Sequence, residues 1–73
     1  MVQFKIKINE KQKLAYIPKE IVEALGFKLV AVPNAKTLLL YPEGSDLEDV
    51  IASTEIIMQD LRLQSIEGKR SHG

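Results

Sequence analysis

The stretch AYIPKEIVEALGF, residues 15–27, changes structural type twice. An apolar, β-prone run stops at Pro18. Proline lacks an amide N–H and holds φ near about −65°, so it suits the first position of a helix. PKEIVEAL follows, with Ile21, Val22 and Leu25 on one side of a helical wheel. Gly26 then stands where a helix end commonly takes a positive φ. So short a helix does not hold itself together in water. It needs packing against other parts of the protein or against a second chain.

On the N-terminal side, VQFKIKIN alternates. Val2, Phe4, Ile6 and Ile8 point one way, and Gln3, Lys5 and Lys7 the other. This period of two, with β-branched and aromatic residues, predicts a half-buried strand. NEKQ supplies a polar turn and KLAYI a second short strand. Together they predict a hairpin whose tip and outer face carry Lys5, Lys7, Lys11 and Lys13. On the C-terminal side, FKLVAVP and TLLLYP are separated by NAK and predict a second hairpin, with Asn34 as turn former. LVAV and LLL are apolar on both faces. Strands buried on both faces fit a sheet or barrel shared by two chains better than a small monomer.

PEGSDLEDV opens the last element. Ser45 followed by Glu48 has capping-box spacing. Asp46, Glu48 and Asp49 suit the positive end of a helix dipole. The expected helix spans residues 45–64, starting at about Asp46. Leu47, Val50, Ile51, Ile57, Met58 and Leu61 form its main apolar stripe. Ala52, Ile56 and Leu63 form a narrower stripe roughly opposite. That second stripe has two readings: packing inside a dimer of this chain, or docking of a partner protein. EGKRSHG lacks periodicity. Residues 65–73 are set outside the fold as a disordered tail, with a cloning remnant as one origin.

Seventy-three residues make at most one domain, and a chain this short often needs a staple. With no cysteine there is no disulfide and no thiolate metal site. His72 is the only histidine, so no His-based zinc cluster exists. Oligomerisation is the common staple that remains. No apolar run reaches membrane-spanning length and no signal peptide stands at the start, so a soluble cytoplasmic protein is expected. Formal net charge is zero, but its distribution is uneven. Residues 1–36 hold seven lysines against three glutamates, a net of +4. In residues 37–68, Arg62 alone faces seven carboxylates, a net of −6. Halves of opposite sign point to separate tasks.

The order strand, YIPKEIVEALG, strand, strand over residues 4–41 resembles the AbrB/SpoVT family, the swapped-hairpin domain. Its members carry a strand ending in Ile-Pro, a short helix of Lys/Glu and aliphatics closing on Leu-Gly, and a second hairpin. Tyr16 stands where the family usually has Thr, and Lys13 is the nearest candidate for its usual Arg. The resemblance implies a mainly β fold with a short helix, to which the C-terminal helix read from the residues is added outside the family's core domain. It also implies an intertwined β-barrel homodimer, with residues 1–44 as the swapped-hairpin domain. It further implies a DNA-binding regulator, or the antitoxin half of a pair that holds its toxin through the C-terminal tail.

No nucleophile elbow, phosphate-cradling glycine loop or usable histidine is present, so an enzyme is not expected, nor a cofactor. The acidic residues of 43–49 read as a solvated helix start rather than a metal site. The expected partners are double-stranded DNA and a second copy of the chain. The DNA site is expected at Lys5, Lys7, Lys11 and Lys13. Lysine makes point-charge phosphate contacts, whereas arginine forks make the commonest base-specific contact. Sequence discrimination should therefore be weak. The alternative is an antitoxin or adaptor that binds a protein through Ala52, Ile56 and Leu63.

Overall fold

The computed structural model describes residues 1–71. Its elements run α1 (Lys19–Leu25), β1 (Leu29–Asn34), β2 (Thr37–Pro42) and α2 (Leu47–Ser71). They fall into two units: residues 2–44, and the C-terminal helix with the residues that lead into it. The arrangement is mixed α/β, with one two-stranded antiparallel sheet, rather than mainly β.

In the first unit, Pro18 precedes α1 as its cap (φ −53°, ψ 139°) instead of forming its first turn. Its carbonyl accepts hydrogen bonds from the Ile21 and Val22 amides, at 3.0 and 3.3 Å. Gly26 ends the helix at φ 89°, ψ −169°, and its N–H donates to the Val22 carbonyl. Positive φ is as expected. The ψ is extended rather than left-handed helical, in a region essentially reserved for glycine. Ile21, Val22 and Leu25 are half-buried.

β1 and β2 form the expected second hairpin, in a register from Leu29 opposite Pro42 to Asn34 opposite Thr37. Asn34 ends β1, and Ala35 and Lys36 make the two-residue connection. Ala35 takes positive φ, 39°, and Lys36 does not, the φ pattern of a type II′ turn. The register places Val30, Val32, Leu39 and Tyr41 on one face and Leu29, Ala31, Leu38 and Leu40 on the other. Both faces are apolar.

The first hairpin has its turn but no ladder. An isolated bridge pairs Asn9 with Leu14, and no strand is assigned in residues 2–8 or 15–18. A hairpin whose apolar side is uncovered is marginal by itself, which accounts for the missing strands.

α2 is longer than expected. It reaches Ser71, so residues 65–71 are helical rather than a disordered tail. His72 and Gly73 lie outside the described residues. The helix runs on past the apolar stripe, with Glu67, Lys69 and Arg70 as good helix formers, and in spite of Gly68. Its N-cap is Asp46 rather than Ser45: Asp46 Oδ1 accepts from the Glu48 amide at 2.9 Å, and Val50 N–H donates to the Asp46 carbonyl at 3.2 Å. Thr54 Oγ1 donates to the Val50 carbonyl, and Gln64 Nε2 to Asp60 Oδ2, each at 2.7 Å. Among the described residues no helix is long and apolar enough to cross a membrane.

Residues 1–68 form no core within the single chain: none of them is buried.

Candidate nucleic-acid interface

The turn of the first hairpin is tightly built. Asn9 donates its N–H to the Leu14 carbonyl at 2.8 Å and accepts from Lys13 N–H at 2.7 Å. Its side-chain Oδ1 accepts from the amides of Lys11 and Gln12, at 3.0 and 2.9 Å. This is the asparagine side chain standing in for a backbone turn. Lys13 closes the turn at φ 60°.

The turn fixes where the four expected DNA residues lie. Lys11 and Lys13 are in the loop itself, and Lys5 and Lys7 are on the segment that enters it. All four are exposed, and none is in an ion pair among the described residues. Free, solvated ammonium groups are what phosphate contacts require. The pairing ends at Asn9 and Leu14, yet Lys7 and Tyr16 line one open concavity beside the turn, together with Asn9, Gln12, Leu14 and Ala15. The sequence reading did not single out Tyr16; only the folded turn brings it to the same concavity as Lys7.

The acidic residues of 43–49 have separate places. Glu43 extends the second hairpin by donating its N–H to the Lys28 carbonyl at 2.9 Å, Asp46 caps α2, and Glu48 and Asp49 lie in the first turn. Among the described residues no group of His, Cys, Asp and Glu is gathered as a metal site.

On α2, Ala52, Ile56 and Leu63 are all exposed. Ile66, three residues beyond Leu63, extends their stripe and is also exposed. It escaped the sequence reading because the helix was ended at 64.

Compared with family models, curated proteins and solved structures, the chain matches none of them.

Proposed function

We propose that this chain binds duplex DNA as a homodimer of the AbrB/SpoVT-like, swapped-hairpin kind, and serves as a cytoplasmic transcription regulator without enzymatic activity. The observation that carries this reading is the set of four exposed lysines in and before the Asn9–Leu14 turn, free of ion pairs among the described residues, in a stretch where Phe4, Ile6 and Ile8 alternate in sequence with Lys5 and Lys7. The missing core supports the homodimer. Two chains that interleave their hairpins would cover both apolar faces of β1 and β2 and the apolar side of the first hairpin together. The resemblance over residues 4–41 supports the same arrangement.

Binding rests on phosphate contacts from Lys5, Lys7, Lys11 and Lys13 of both subunits, with weak sequence discrimination. If six to eight lysines meet phosphates, log K falls with log salt at a slope of roughly −5 to −7. The test is a salt titration on two unrelated duplexes, with wild type and with Lys5→Glu/Lys7→Glu. Similar affinity for both duplexes, a steep slope and loss of binding in the double variant are expected. A flat slope, or normal binding by the variant, removes the site from this hairpin.

The exposed stripe of Ala52, Ile56, Leu63 and Ile66 favours a second reading, an antitoxin or adaptor that holds a protein partner on α2. Co-purification of a second polypeptide that depends on Ile56 would put that reading first.

A further inference from the structure

Tyr16 is the aromatic side chain beside the lysines that phosphate binding does not use. It is 96% exposed. Tyr16 lines an open concavity with Lys7, Asn9, Gln12, Leu14 and Ala15. An aromatic ring costs free energy to leave in water, and its face is a platform on which any nucleobase stacks.

We infer that Tyr16 stacks on an unpaired nucleobase, so that the lysine face takes single-stranded nucleic acid as well as duplex. The inference rests on the proposed lysine site and adds a second binding mode to it. Lys5 and Lys7 hold the backbone of the strand by charge, and the ring of Tyr16, on the same concavity as Lys7, receives a base that a duplex keeps inside its stack. Asn9 and Gln12 edge the concavity, but Asn9 Oδ1 is already occupied by two backbone amides, so the base is held by its π-face rather than read at its edge. Pairing status, not sequence, is what Tyr16 senses.

The experiment compares an oligo(dT) strand with a duplex of the same length. Tyr16→Ala should weaken oligo(dT) binding by about 5- to 150-fold, the effect of removing one stacked base, and leave duplex binding within about twofold. Tyr16→Phe should retain wild-type affinity for both. Tyr16→Leu keeps apolar bulk without a π-face and should behave like Tyr16→Ala, which controls for loss of folding. Tyr16 and Tyr41 are the only tyrosines and there is no tryptophan, so in a Tyr41→Phe background the intrinsic emission reports Tyr16 alone. Oligo(dT) should quench it, and duplex should not. Equal weakening on both ligands, unquenched emission, or a change in oligomeric mass on Tyr16→Ala overturns the proposal. If both ligands bind through Lys5 and Lys7 but no Tyr16 variant matters, the stacking mode alone is lost. If neither ligand binds, the lysine site and the stacking mode are lost together.

Discussion

Four residues outside the helices take positive φ: Lys13, Gly26, Ala35 and Gly44. In the two glycines the residue type matches the conformation, and Gly26 is the one that ends a helix. At φ 89° and ψ −169° a Cβ would meet no atom within 4 Å, so space does not demand glycine; the backbone does. Gly26→Val should therefore lower stability by about 1–3 kcal/mol, read as a shift of the denaturant midpoint. An unchanged midpoint would mean that the end of α1 is placed elsewhere. Lys13 is the opposite case. It holds φ 60° with a full side chain, which costs about 1–2 kcal/mol over glycine in a left-handed conformation. Lys13→Gly removes that cost, though it gives back some entropy in the unfolded chain. A net gain of about 0.5–1 kcal/mol is expected in thermal melts, together with a salt slope about one unit shallower per subunit on DNA. Stability and DNA affinity moving in opposite directions at one residue is the signature of a lysine kept for its charge. A loss of stability would show that the side chain itself holds the turn.

At the scale of elements, local chemistry was legible and long-range pairing was not. Pro18 and Gly26 bracket α1 because proline fixes φ whereas glycine permits positive φ, and both are properties of a single residue that need no partner. The second hairpin could be read because two apolar runs flank a short connection, although the positive φ falls on Ala35 rather than on Asn34. The cap of α2 was misread by one residue, since Ser45 and Asp46 both suit the position and only the hydrogen bond to the Glu48 amide chooses between them. The end of α2 was missed because the apolar period fades before the helix does. The first hairpin failed differently: its alternation is clean, yet without cover for Phe4, Ile6 and Ile8 the pairing stops at Asn9–Leu14. Of the candidate site, the lysines were legible as charges in an alternating stretch, whereas the place of Tyr16 on the same concavity as Lys7 required the folded turn. The second stripe of α2 can be tested alone. If Ile56 packs inside the dimer, Ile56→Glu should lower stability by about 1–3 kcal/mol while no partner protein is lost. Intact stability with loss of a co-purifying protein would instead put the adaptor reading ahead.

For the whole molecule, the decisive observation is that none of residues 1–68 is buried in the single chain. If a second copy supplies the missing cover, the interface belongs with those of obligate dimers rather than of transient ones. The residues that would fill it are on both faces of β1 and β2 and on the apolar side of the first hairpin, so they cannot be covered by stacking two preformed monomers through one face. Folding and association must then be one event. Sedimentation at micromolar concentration should show dimer and no folded monomer. The midpoint of denaturation should rise with protein concentration, because unfolding releases two chains from one complex. A monomer with cooperative melting and a concentration-independent midpoint would end the interleaved-hairpin reading. It would also require a core that residues 1–68 do not form within one chain.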